Sequence, residues 1–151
     1  MTTIYVRNHT GSCTSLNVSD RKLKSLPYFD PALLYINCEN NAITSLPKLP
    51  PNLLELSCGK NKLKSLPELP ETLTVLRCNR NQLKSLPNLP SNLKELYCGG
   101  NRLKTLPTLP QQLTMLHCSS NPIDSIPNIP DSLTHVFIDT SPPKDRYCSI
   151  M

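Results

Sequence analysis

The sequence predicts a solenoid, with short parallel β-strands on one face, an extended polyproline-like opposite side and little or no helix. From Leu23 onward the chain aligns with itself in blocks of 20 residues without a gap. Within each block apolar residues recur first at every third and then at every second position. Composition adds a third observation: 16 prolines against 4 glycines in 151 residues rule out a mostly helical domain and do not suit a flexible linker.

The elements follow in chain order. Residues 1–22 read as an N-terminal capping segment holding a worn copy of the block, with Leu16, Val18 and Arg21 where later copies place Leu or Ile, Cys and Asn. Residues 23–142 hold six copies, the last of them decaying, and residues 143–151 form a tail. In the copy LKSLPELPETLTVLRCNRNQ, Leu76 and Cys78 stand two apart and share one strand face, while Val75, Arg77 and Asn79 share the other. In its first half Leu63, Leu66 and Leu69 recur every three residues beside Pro67 and Pro70, which fix φ and donate no hydrogen bond. Three residues per turn is the polyproline II period, so these leucines face the core from an extended arm. A period of 20 with this leucine, cysteine and asparagine spacing is that of leucine-rich repeats.

Asn41, Asn61, Asn81, Asn101 and Asn121 fall once per block where the chain leaves the strand. A buried amide there pairs backbone groups that an irregular turn would otherwise orphan, at about 1–3 kcal/mol each. The inward Cys38, Cys58, Cys78, Cys98 and Cys118 are expected to act as small buried hydrophobes. Adjacent strands keep them about 4.8 Å apart, too far for the Cβ approach of a disulfide, and a dry row makes no tetrahedral metal pocket. No metal and no cofactor is expected. The count of seven cysteines is odd, and the opening lacks a basic region followed by an apolar stretch, so a reducing cytosol is expected. The triplets Asn8-His9-Thr10 and Asn17-Val18-Ser19 are then unused for glycosylation.

The block L-P-x-L-P-x-x-L-x-x-L-x-C-x-x-N-x-L over residues 23–142 resembles the short repeats of type III secreted bacterial effectors of the YopM and IpaH group, and similar repeats of large DNA viruses. The resemblance is specific for the repeat fold and implies an effector acting in the cytosol of a eukaryotic host, while it says little about the partner. It also raises an alternative, the substrate-recognition part of a ubiquitin-ligase effector. The helical hairpin that begins such effectors has no counterpart in residues 1–22, and only nine residues follow the last block, so ligase activity is not expected.

Partner-binding residues are expected on the outward face of the strands: Tyr35, Arg77, Tyr97, Met115, His117, His135 and Phe137. They are aromatic, guanidinium and thioether side chains of the kind that anchor interfaces, and solenoid concavity is itself a binding shape. Ser119, His135 and Asp139 have the residue types of a hydrolase triad, but an open strand surface supplies no oxyanion hole, so no catalytic residue is assigned and the chain is expected not to be an enzyme.

The net charge is +5, and Lys60, Lys62, Lys64, Arg80, Lys84, Arg102 and Lys104 flank the turns as a basic edge. That edge suits an anionic membrane surface, while the lack of interleaved aromatic residues makes nucleic acid a poor fit. The ending Cys148-Ser149-Ile150-Met151 satisfies the C-a-a-X pattern, which marks Cys148 for lipidation by a prenyl group. The reading is therefore a non-catalytic protein-binding module or scaffold, cytoplasmic and membrane-associated where prenylated. A structural repeat protein without a dedicated ligand is the bland rival.

Overall fold

The computed structural model describes residues 4–7, 13–126 and 128–138. Its strands are β1 (Ile4–Arg7), β2 (Cys13–Asn17), β3 (Tyr35–Asn37), β4 (Glu55–Ser57), β5 (Val75–Arg77), β6 (Glu95–Tyr97), β7 (Met115–His117) and β8 (His135–Phe137). All eight form one sheet in sequence order, and among the described residues there is no helix. From β2 to β8 the pairing is parallel. Ser15, Tyr35, Glu55, Val75, Glu95, Met115 and His135 stand opposite one another, so one block of 20 residues is one turn of the coil.

The worn copy extends this ladder: Leu16 pairs with Ile36, and Leu16 and Val18 are buried in the positions of the later leucines and cysteines. β1 then runs antiparallel to β2, with a register shift between Val6 and Arg7. A β-hairpin thus occupies the first edge of the sheet and satisfies the backbone groups of β2 that would otherwise template another strand.

Four columns of side chains fill the coil. Leu53, Leu56, Cys58 and Leu63 are fully buried in one rung, as are Leu73, Leu76, Cys78 and Leu83 in the next. The remaining arm leucines are less uniform: Leu49, Leu86, Leu106 and Leu109 are buried, whereas Leu66, Leu69 and Leu89 are only partly so. On the last rung Val136 and Ile138 are 39% and 46% exposed, against 0% and 1% for their equivalents Leu116 and Cys118. No further rung covers them among the described residues.

Two turns close each coil. The amide of Leu53 donates to the carbonyl of Pro50 at 3.3 Å, and Leu73, Leu93, Leu113 and Leu133 repeat this with Pro70, Pro90, Pro110 and Pro130, so the Pro-x-x-Leu spacing is a β-turn entering the strand. Leaving the strand, the residue before each asparagine adopts a left-handed backbone: Asn40, Lys60, Arg80 and Ser120 have φ of 54, 52, 54 and 56°, and Gly100 has 66°. The asparagine completes this turn. Asn81 accepts from the amide of Leu63 at 3.0 Å and donates to the carbonyls of Cys58 and Cys78 at 3.0 and 3.1 Å, linking two rungs. Asn61, Asn101 and Asn121 make the same bonds in their own coils, one earlier and one and two later.

Candidate functional site

Because the strands are in register, outward side chains line up in columns across the concave face. One column is Asn37, Ser57, Arg77, Tyr97, His117 and Phe137; the other is Tyr35, Glu55, Val75, Glu95, Met115 and His135. Four of the seven sequence-predicted contact residues, Arg77, Tyr97, His117 and Phe137, are therefore consecutive in one column, while Met115 and His135 flank them in the other. Tyr35 lies on β3, three strands from Tyr97, and is 41% exposed.

The first column is a continuous stack. The Arg77 guanidinium carbon sits 5.0 Å from the Tyr97 ring centroid, within cation–π range. Tyr97 and His117 stack at 6.4 Å between centroids with an interplanar angle of 27°, and His117 meets Phe137 at 5.5 Å and 32°. His117 has room because its neighbour is a glycine: a Cβ on Gly99 would come within 2.8 Å of His117 Nδ1. Ser119 Oγ lies 3.4 Å from His117 Nε2. Of the triad residue types, Asp139 lies outside the described residues.

Charge in this region is organised around Arg77. Its Nη2 donates to Glu95 Oε2 at 3.2 Å, and its Nη1 lies 3.9 Å from Glu55 Oε2. Each of these exposed pairs contributes at most about 1 kcal/mol to stability, but together they hold the guanidinium over Tyr97. Burial raises the Tyr97 phenol above its ordinary value and the Glu95 charge adds to this, while Arg77 acts in the opposite sense. Phe137, the last member of the stack among the described residues, is 50% exposed.

The cysteine row is chemically quiet. Cys38, Cys58, Cys78, Cys98 and Cys118 are free and buried. Burial pushes the Cys38 and Cys78 thiols up to about 12, with the Glu39 charge adding at Cys38, and raises Cys58 and Cys98 well above the ordinary value. Among the described residues no three His, Cys, Asp or Glu side chains converge as metal ligands. Cys148, the lipidation candidate, lies outside the described residues. Sequence reading did not identify the Arg77 pairs or the space above Gly99; both needed the register, since Glu55 and Glu95 stand 22 and 18 residues from Arg77 in the chain.

Residues 71–111 and 91–131 match the family model of leucine-rich repeats in two copies. Among solved structures the coil is similar to YopM from Yersinia pestis, a leucine-rich effector protein, at 37% identity and TM-score 0.81. It is also similar to YopM from Yersinia enterocolitica WA-314 at 32% identity and TM-score 0.68, and to a Shigella effector leucine-rich repeat domain at 33% and 0.78. These alignments cover 84%, 84% and 82% of the chain, which spans 36%, 33% and 57% of those proteins. No curated protein matches the chain.

Proposed function

We propose that this chain, a leucine-rich repeat solenoid similar to the repeat domains of YopM and a Shigella effector, is a non-catalytic module that binds a protein partner through the C-terminal half of its concave face. The contiguous column Arg77, Tyr97, His117 and Phe137 carries the reading. Aromatic side chains held on paired strands lose little freedom on binding, and the partly open Phe137 offers area for a partner to cover. The similarity to effectors supports a place of action in the cytosol of a host cell. It leaves the ligase relation at the level of a shared repeat. A ubiquitin thioester requires an accessible thiol of low pKa, whereas the five described cysteine side chains are buried.

Affinity capture from host-cell lysate, run with the parent beside Tyr97→Ala/Phe137→Ala, tests this. Truncating two anchors is expected to cost about 2 kcal/mol or more, a loss of at least roughly 30-fold in affinity for the captured protein. Lys64→Ala on the edge is expected to change mainly salt dependence. A silent double variant beside a disabled edge variant would move the interface off the concave face. We further propose that Cys148 carries a prenyl group where Met151 is the mature end, adding a reversible membrane tether. Intact mass after expression in eukaryotic cells decides this: an unmodified Cys148 followed by Ser149-Ile150-Met151 removes the tether.

A further inference from the structure

Seven cations crowd one edge of the coil, at the C-terminal ends of β4, β5 and β6. Lys60, Lys62 and Lys64 follow β4, Arg80 and Lys84 follow β5, and Arg102 and Lys104 follow β6; all seven are exposed. In-register pairing sets equivalent residues one strand spacing apart, so Lys64, Lys84 and Lys104 form a row of about 10 Å and Lys60 stands beside Arg80. The stretches 59–65, 79–85 and 99–105 contain no acidic residue. Among the described residues none of the seven side chains has an ion-pair or hydrogen-bond partner, whereas Arg77 on the concave face has two glutamates. Glu55 and Glu95 stand on the strands, Glu68 and Glu71 on the arm and the entry turn, and Glu39 beside Gly59 and Asp124 one rung beyond Lys104 bound the array at its two ends. Such clustering repels itself, and an external anionic surface relieves that repulsion.

We infer that this edge docks on an anionic phospholipid bilayer, through charge and independently of any prenyl group. The buried amides beneath it, Asn61, Asn81 and Asn101, are spent on backbone groups, so nothing is left to orient a single phosphate. The three stretches hold no aromatic residue, so no base would stack there. What remains is an extended array of long, unpaired cations, the pattern that rests on many headgroups at once. Docked by its edge, the coil keeps Tyr97, His117 and Phe137 open to a partner, because the concave side chains project from the strands themselves and not from the turns that follow them.

The test uses the full chain carrying Cys148→Ser, so that no lipid is attached. Co-sedimentation is measured with phosphatidylcholine vesicles containing about 30 mol% phosphatidylserine, and with phosphatidylcholine alone. Binding is expected only to the anionic vesicles, and to fall at least about tenfold as salt rises from about 0.05 to 0.3 M. Lys64→Gln/Lys84→Gln/Lys104→Gln is expected to lower the partition coefficient about 100-fold. Lys48→Gln/Lys94→Gln, off the edge, should leave it within about threefold, and Tyr97→Ala/Phe137→Ala should leave it unchanged, which separates this surface from the concave one. Equal loss in both glutamine variants would reduce the effect to net charge and overturn the inference. So would equal binding to neutral vesicles, or tighter binding to a single-stranded RNA oligomer than to anionic vesicles. Melting curves of each variant confirm that a loss reflects the surface and not the fold.

Discussion

Alkaline pH should unfold this protein through its cysteine row. Four thiols, Cys38, Cys58, Cys78 and Cys98, are raised above their ordinary value of 9.0 by burial, two of them to about 12. Below about pH 9 both folded and unfolded chains hold these protons, and the stability is fully present. Between about 9 and 12 the folded chain keeps them while the unfolded chain releases them. The unfolded state then binds fewer protons, and stability falls by about 1.4 kcal/mol per pH unit for each thiol. Cys38 and Cys78, both pushed up to about 12, give a slope of about 3 kcal/mol per unit, and Cys58 and Cys98 add in the same direction. By pH 11 Cys38 and Cys78 alone remove on the order of 5 kcal/mol, a large share of the stability of an ordinary domain.

Urea titrations followed by circular dichroism in reducing buffer, from about pH 8 to 11, measure this directly. The midpoint is expected to stay level to about pH 9 and then to collapse. Tyr97, whose phenol is also raised, adds in the same direction. Cys78→Ala isolates the thiol contribution, because it removes one titrating group and should make the alkaline slope shallower by about 1.4 kcal/mol per pH unit. A midpoint that stays level to pH 11, or a slope unchanged in Cys78→Ala, would refute the view that the row is held neutral by burial.

The fold-level predictions concern the columns. Leu76→Ala should cost about 2–5 kcal/mol by opening a cavity, Cys78→Ala distinctly less, and reductant alone should leave the melting temperature where it is, since the described thiols are free. Asn81→Ala should cost about 3 kcal/mol or more by urea denaturation, because it orphans the amide of Leu63 and removes a donor from the carbonyls of Cys58 and Cys78. Lys60→Gly should raise stability by about 0.5–1 kcal/mol, because φ of 52° suits glycine and strains a side-chain-bearing residue.

The coil was legible because its period equals one full turn: a 20-residue repeat fixes the register of six strands as soon as one strand is placed. Leucine, cysteine and asparagine columns follow from that single fact. The hairpin at the first edge was not legible in the same way. Ile4 and Val6 alternate with polar or amphipathic neighbours, which is a strand signal, but the antiparallel return onto β2 falls outside any repeat. Nor was the left-handed residue before each asparagine, because Asn40, Lys60, Arg80, Gly100 and Ser120 share no chemistry. There the turn imposes the conformation, and only glycine and asparagine are at ease with it. On the concave face the columns could be read from the period, whereas the Arg77 pairs depended on rotamers that bridge neighbouring rungs.

The repeat also separates what holds the coil from what is free to serve a partner. A residue that recurs every 20 positions and is buried, as Leu56, Leu76 and Leu96 are, answers to packing, since any change there opens or overfills the core. The concave column Asn37, Ser57, Arg77, Tyr97, His117 and Phe137 uses six different residues at one structural position, so packing does not dictate them and the surface they make is specific to this chain. The edge breaks the division. Lysine stands exposed at one structural position in four of six copies, Lys24, Lys64, Lys84 and Lys104, with Thr44 and Asp124 in the other two. No core contact requires lysine there, and repeating a charge one strand spacing apart works against stability. A repeated feature that the fold does not need points to a requirement outside the fold, and a flat array of anionic groups is what a ladder of evenly spaced cations matches.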